Sequence, residues 1–289
     1  MATCAAAPDL DEDGDLLLAA LAGAGADARV GAWDDPAVDW AALDAVLVRS
    51  TWDYPLRRDE FLAWTRTCAR TVNPRAVLEW NTDKRYLADL AAAGVPTAPT
   101  AFVPPGSALA APDGDYVVKP AVSGSAADTG RFGDPADPRA HELVARIHAG
   151  GRTVMVQPYL PGIESDGETS LVVLGGVLSH AVRRAPLLTA PGVRRPVVVA
   201  DVLGTVRPVD PTDAQRAVAE AALAAVPGGA AGLGYARVDL IPGPDGPVLL
   251  ELEATDCYLF LGHAQPEAIK RFAEHVVARG EDAGQNGTD

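Results

Sequence analysis

Three acidic residues late in the chain could act together: Asp239, Glu251 and Glu253. Glu251 and Glu253 stand two apart in residues 248–253, a run that reads as a strand, so their side chains leave the same face. A hairpin centred near Asp245 sets Asp239 opposite Glu251 on that face. Carboxylates facing one another across a sheet repel, and the surrounding leucine, isoleucine and valine would bury them, so the patch demands a cation. Hard oxygen ligands with room for water and phosphate suit Mg²⁺. Spacing alone is equally compatible with a one-sided sheet that turns Glu251 or Glu253 to solvent.

The basic residues are unevenly divided: only Lys84, Lys119 and Lys270 are lysines, and the other 21 are arginines. Chance in an alanine- and arginine-rich chain explains any one of these lysines. Lys119, however, ends a strand-like run at 116–119 and is followed by AVSGSAADTGRFG at 121–133, whose free N–H groups could fold over phosphates. A plain Gly/Ser linker is the competing account. Neither GxxxxGK[ST] nor GxGxxG occurs, which closes the P-loop and dinucleotide routes. In QPYLPGIESDGE, residues 157–168, a strand runs into a proline-constrained turn. Its backbone edge can read an adenine ring, Tyr159 and Leu160 offer apolar surface, and a nearby carboxylate can take ribose hydroxyls. The five histidines lack zinc-like spacing, and no GxSxG offers a serine nucleophile.

The elements that must position these groups follow from pattern. A length of 289 residues suggests about two domains, and 48% hydrophobic with 22% charged residues describes an ordinary globular chain. A net charge of −15 without a basic stripe argues against duplex nucleic acid or an anionic membrane as partner. No apolar run reaches the roughly 18 residues of a bilayer span, and residues 1–15 lack a positively charged start, so the expected location is the cytoplasm. Cys4, Cys68 and Cys257 are widely spaced and read as reduced thiols. Residues 1–78 read as a small α/β unit with a strand at 44–49 and a helix at 59–69. A helix follows from Asn81, which could cap it, to Gly94, with Lys84 in or near its first turn. Residues 121–133 read as a mobile loop. Further strands are expected at 153–157, 169–174 and 177–182, the last two turned at Gly175-Gly176, and at 235–241 and 248–253. Helices are expected at 211–226 and 266–279, then a frayed tail at 281–289.

The order of these pieces resembles the ATP-grasp superfamily, in the branch similar to the ATP-binding domain of bacterial glutathione synthetase. The resemblance covers nearly the whole chain. RSTWDY at 49–54 with Trp80-Asn81 and Lys84 is similar to the subgroup containing the cyclo-ligase that closes O-ureido-serine to cycloserine. The resemblance implies an α/β (α+β) ATP-grasp fold. Residues 1–78 would form a pre-ATP-grasp domain, 79–158 a central subdomain with a lid loop, 159–280 a subdomain with the metal site, and 281–289 a disordered tail. It implies ATP and Mg²⁺ as cofactors, with Lys84 and Lys119 on the phosphates and Ser123, Gly124, Ser125 and Arg131 in the lid. Gln157, Tyr159 and Leu160 would take adenine, and Glu168 or its competitor Glu164 the ribose. Asp239, Glu251 and Glu253 would hold the metal, while Arg184 and Arg237, with Lys119, would serve catalysis. The acceptor side departs from relatives: 194–206 lacks a Gly-Gly pair, and Thr255, Asp256 and Cys257 replace an acidic-proline pair.

The implied reaction is an ADP-forming ligation through an acylphosphate, with Arg184 and Arg194 or Arg195 stabilising charge as an amine displaces phosphate. The expected partner is a small amino-acid-like substrate in a biosynthetic pathway, and a homo-oligomer is left open. A phosphotransferase that stops at phosphorylation and a non-catalytic nucleotide-binding protein are the alternatives.

Overall fold

The computed structural model describes residues 1–124, 126–188, 190–193 and 205–285. Strands β1 (Ala2–Thr3) and β2 (Gly31–Ala32) pair in parallel and are joined through helix α1 (Gly14–Gly23). Residues 44–49, expected as a strand, make only isolated bridges, Val48 to Ala2 and Val46 to Thr71. Helices α2 (Arg58–Thr65), α3 (Arg75–Asn81) and α4 (Tyr86–Ala92) follow. Asn81 therefore ends a helix instead of capping one, and Lys84 lies in the connection between α3 and α4. Gly94 has φ +86° and closes the second of these helices, as its type suggests.

Two five-stranded sheets carry the rest. The first has the order β3-β6-β4-β5-β9, from β3 (Ala101–Val103), β4 (Tyr116–Pro120), β5 (Gly130–Phe132), β6 (Val154–Pro158) and β9 (Gly192–Val193). β5 falls inside the segment read as a loop: its three residues pair with Tyr116 to Val118, which ties the lid's far end to β4. Helix α5 (Pro138–Ala149) buries Ala140, Leu143, Val144 and Ile147, at helical spacing, in the same cluster as Tyr116, Val118 and Phe132.

The second sheet has the order β10-β8-β7-β11-β12, from β7 (Glu168–Leu174), β8 (Val177–Arg184), β10 (Arg207–Pro208), β11 (Tyr235–Gly243) and β12 (Gly246–Glu253). Both central residues of the Gly175-Gly176 turn have positive φ, +61° and +76°, the geometry of a tight hairpin. Helix α7 (Asp213–Ala224) packs on this sheet and starts with a complete capping box: the Thr212 hydroxyl accepts from Gln215 N–H, and the Gln215 side chain accepts from Thr212 N–H. The short helix α6 (Gly162–Asp166) links the sheets. The last helix, α8 (Pro266–Gln285), runs six residues beyond the expected end.

The amino-terminal unit and the second sheet share a core. Leu17, Leu21 and Val72 join Val172, Leu174, Tyr235 and Phe272 in one buried cluster. Two buried asparagines stitch the same boundary. Asn73 donates to the carbonyls of Tyr235 and Ala254, and Asn81 bonds the backbone on both sides of Glu253, at Leu252 O and Ala254 N, each at 2.7 Å. Among the described residues no helix is long and apolar enough to cross a membrane, and the three cysteines are buried and free.

Candidate active site

The two sheets enclose a cleft of ≈ 260 Å³. The first sheet contributes Val117, Lys119 and Gln157, and the second Glu168, Arg184, Arg237, Asp239, Ile241 and Leu250 to Glu253. Asp239 pairs directly with Glu251, and Arg237 with Glu253. Beyond Asp239 the register shifts, so that Leu240 faces Leu249 and Leu250 is the extra residue of a bulge. Ala98, Val117, Leu160, Ile163, Ile241 and Leu250 give the cleft apolar lining beside its charged residues.

Most of those charges are paired. Lys84 Nζ lies 2.9 Å from Glu251 and donates to the Ser123 carbonyl at 2.7 Å. Arg237 reaches Asp239 at 2.9 Å and Glu253 at 2.6 Å. Arg184 bonds Glu168, lies 3.1 Å from Asp239, and donates to the Ser170 hydroxyl, which itself donates to Asp239 at 2.6 Å. Burial would raise Asp239, but two guanidiniums and two hydrogen bonds hold it at about 2. Burial also opposes ionised Glu251, yet Lys84 and Lys119 keep it below the usual carboxylate range. Glu168 and Glu253 have weaker compensation, and burial pushes each up to about 7. Asp256 is pushed by burial, then by Glu253, to about 8. For Lys84 burial is outweighed by Glu251 and its acidic neighbours, so its ammonium sits above the ordinary value. Lys119, which has no ion pair among the described residues, is lowered by burial.

The structure thus gathers Lys84, Lys119, Ser123, Gly124, Gln157, Tyr159, Leu160, Glu168, Arg184, Arg237, Asp239, Glu251 and Glu253 around one cleft. Arg131 and Glu164 are not among its lining residues. They pair with each other at 2.7 Å, and the Arg131 guanidinium stacks 3.5 Å over the Tyr159 ring, bracing the hinge. The Gln157 amide is turned to the Thr100 hydroxyl. Gly167, just before Glu168, is required: its φ is +71° and a Cβ would collide with the Arg184 carbonyl. Ser125, Arg194 and Arg195 lie outside the described residues.

Thr255 and Asp256, read as acceptor-side positions, line this cleft, and pattern reading missed the aromatic residues that line it with them: Trp52, Tyr54, Tyr258 and Phe260. Trp52 stacks on Tyr258 with centroids 5.6 Å apart, and Tyr258 on Phe260 at 6.1 Å. Arg184 and Arg237 both lie over the Phe260 ring, at 5.9 and 5.6 Å. The signal available in sequence was RSTWDY, whose aromatic residues approach a segment some 200 positions away only in three dimensions.

Among the described residues no group of three or more His, Cys, Asp or Glu is gathered to hold a metal ion unaided. Mg²⁺ of the kind delivered with a nucleotide takes one or two carboxylates and completes its shell with phosphate and water. The Asp239–Glu251 pair, with Glu253 beside it, offers that donor set.

Comparison with known proteins agrees with this geometry. A family model described as D-cycloserine synthetase DcsG, N-terminal domain, matches residues 1–74. The cycloserine biosynthesis protein DcsG of Streptomyces lavendulae is 38% identical over 96% of this chain and 97% of its own. The crystal structure of D-cycloserine synthetase DcsG superposes with a TM-score of 0.86 at 35% identity, covering 96% of this chain and 98% of that one. A D-alanine–D-alanine ligase from Bacillus anthracis complexed with ATP shares the fold, with a TM-score of 0.64 at 13% identity over 95% and 93% of the two chains. The chain belongs to the DcsG family of ATP-grasp ligases.

Proposed function

We propose that the protein uses ATP to activate a carboxylate of an amino-acid-derived substrate and closes a small ring by forming a C–N bond. The nucleotide base would lie against the apolar side chains Val117, Leu160, Ile241 and Leu250. Lys119 would meet the phosphates, because it is a half-buried cation lining the cleft with no carboxylate of its own within ion-pair distance among the described residues. Lys84 is anchored by Glu251 and the Ser123 carbonyl and would link the lid to the acidic strand. Asp239, Glu251 and Glu253 would hold Mg²⁺, which when bound neutralises phosphate charge. The substrate carboxylate attacks the γ-phosphorus, the bond to the β-phosphate oxygen breaks, and ADP leaves. Arg237 and Arg184, each shared between acids here, would turn part of their donor set to the transferred phosphoryl group and the developing oxyanion. A substrate nitrogen then attacks the acyl carbon, phosphate departs with the C–O electron pair, and the nitrogen gives up its proton. Water would destroy the acylphosphate, which assigns a sealing role to the loop carrying Ser123 and Gly124.

The observation that carries this reading is the convergence of both lysines and the Asp239–Glu251 pair on one cleft within a chain 38% identical to a cycloserine biosynthesis protein. ADP release with Mg²⁺ should be measured against amino-acid derivatives singly and in pairs, with mass analysis of products. Ring closure requires ADP from a single substrate and a product lighter by one water. Dependence on two substrates would instead indicate joining, and a stable phosphorylated product a phosphotransferase.

A further inference from the structure

The loop that carries Ser123 and Gly124 meets the cleft again at Ala126 and Thr129. Its backbone there is unfavourable for its sequence, because Ala126 has φ +53° and Asp128 φ +51°, both in the left-handed region. Aspartate enters that region more readily than most residues, whereas the Cβ of alanine crowds the following carbonyl oxygen. Bonds inside the loop are few: Ala127 N–H donates to the Gly124 carbonyl at 3.0 Å, and the Thr129 hydroxyl to the Ala127 carbonyl at 3.2 Å. A backbone of this kind persists where the surroundings dictate it.

Two arginines at the end of α5 dictate it. Each carboxylate oxygen of Asp128 has its own donor, Arg146 Nε at 3.1 Å and the Arg152 guanidinium at 2.6 Å. Arg146 stands in the last turn of the helix, and the way the helix ends brings Arg152 to the same carboxylate. Gly151 has φ +70°, its N–H bonds the His148 carbonyl, and the Arg152 N–H turns back to the Ile147 carbonyl, a termination that glycine permits. Arg152 is largely buried and Asp128 half-buried, so the pair is better shielded than an open surface pair. Among the described residues of 124–129, Asp128 carries the only side-chain bond to another element. The loop's two ends are held separately, by Lys84 at the Ser123 carbonyl and by the pairing of β5 with β4.

We propose that Asp128 is a positioning residue for nucleotide binding: fastened from outside by Arg146 and Arg152, it sets Ala126 and Thr129 against the cleft before the ligand arrives. The inference rests on the reading of the cleft as an ATP site and adds what prepares the loop over it. A loop already in its bound shape spares the ligand the entropy of ordering it. With the tether cut, the backbone at Ala126 relaxes to ordinary angles in the free protein, and ATP binds only the fraction of molecules that keeps the wall in place.

The test is calorimetric binding of a non-hydrolysable ATP analogue with Mg²⁺ to the full chain. Asp128→Asn keeps a residue that tolerates φ +51° and removes the charge, and Arg152→Gln cuts the same bond from the helix side. Asp128→Asn should weaken the analogue about five- to tenfold and Arg152→Gln about threefold, by the fraction of free protein that loses the wall. The double variant should bind like Asp128→Asn alone, because the two substitutions remove one interaction. Ala126→Gly added to Asp128→Asn should recover most of the lost affinity, since glycine takes φ +53° without strain. A residue needed only for stability would not be rescued from the far side of the loop, and the unfolding midpoint of the ligand-free variants should stay close to that of wild type. The proposal is overturned if both single variants bind the analogue like wild type, if their losses add in the double variant, or if Ala126→Gly recovers nothing. Failure of the ATP reading is distinct: wild type itself would not bind the analogue, and both readings would fall together.

Discussion

Asp13, near the start of the chain, holds Phe260, near its end, in the left-handed region of backbone space. Its two carboxylate oxygens accept the N–H groups of Leu259 and Leu261, at 3.0 and 2.7 Å, and Phe260 between them has φ +49°. Such a conformation costs a non-glycine residue about 1–3 kcal/mol and persists only where the surroundings dictate it. Arg49, buried to 1% exposure, completes the clamp: it bonds Asp11 at 2.8 Å, lies 3.5 Å from Asp13, and donates to the Cys257 carbonyl at 2.9 Å. The ring so fixed lies beneath Arg184 and Arg237.

Asp13→Asn keeps one acceptor and loses the other, leaving a buried N–H unpaired at about 1–3 kcal/mol. The expected result is a modest loss of stability in denaturant unfolding, with a fall in kcat larger than any change in KM for ATP. Asp11→Asn removes the nearer of the two carboxylates on the buried Arg49 guanidinium, leaving Asp13 at 3.5 Å, and should cost more, about 3 kcal/mol. Equal stability of Asp11→Asn and wild type would contradict the account of the clamp.

Local pattern carried the strands that bear chemistry. The period of two in β12 and the PGPDGP turn put Asp239 opposite Glu251, and the register agrees. What pattern did not carry depends on distant partners. Asn81 has the residue type of a helix cap, but its amide is taken by backbone around Glu253, more than 170 residues away. Residues 130–132 look like loop because their glycine-rich composition hides a strand that exists only by pairing with β4. The aromatic wall was illegible for the same reason, since Trp52 and Tyr258 meet only after the amino-terminal unit docks on the second sheet.

Lys119→Ala removes the cleft cation that has no carboxylate partner among the described residues. A charge-assisted contact in a partly dry site is worth about 1.5–3 kcal/mol, so calorimetry should show ATP bound roughly 10- to 150-fold more weakly. Because the side chain neutralises no acid at ion-pair distance, folding stability should change little. Unchanged ATP affinity would remove Lys119 from the phosphate site.

Asp239→Asn and Glu251→Gln bear on the metal. Either change should abolish Mg²⁺-dependent turnover while leaving far-ultraviolet circular dichroism intact. Glu251→Gln also releases Lys84 from its 2.9 Å partner, so it should weaken the link to the Ser123 carbonyl and increase protease cutting of the lid. Near-normal rates in both variants would exclude these carboxylates as metal ligands.

The two candidates for the ribose are separable. Glu168 lines the cleft, buried against Arg184, whereas Glu164 does not line it and is held by Arg131 and Tyr159. Glu168→Ala should therefore raise the KM for ATP and lose the discrimination between ATP and its deoxyribose analogues. Glu164→Ala should act only through Tyr159 and Arg131, with discrimination retained. The reverse assignment of effects would make Glu164 the ribose acid.

Stability against pH follows from the cleft acids. Glu168 and Glu253 titrate at about 7 in the folded, ligand-free protein against an ordinary 4.5, and Asp256 at about 8 against 3.8. The folded state thus holds protons that the unfolded chain has already lost. Stability from these groups falls as pH rises from about 4 to about 8. Asp239 works in the other direction. At about 2 against 3.8, its contribution is present above pH 4 and is lost as pH falls toward 2. In chelator, thermal unfolding should give a midpoint that declines between pH 5 and 8. Asp256→Asn should flatten the upper part of that decline. Adding Mg²⁺ and ATP should flatten it further, because cations beside the acids favour their ionised forms. A midpoint that rises over this range in chelator would show that the acids are not crowded in the folded protein as the cleft geometry requires.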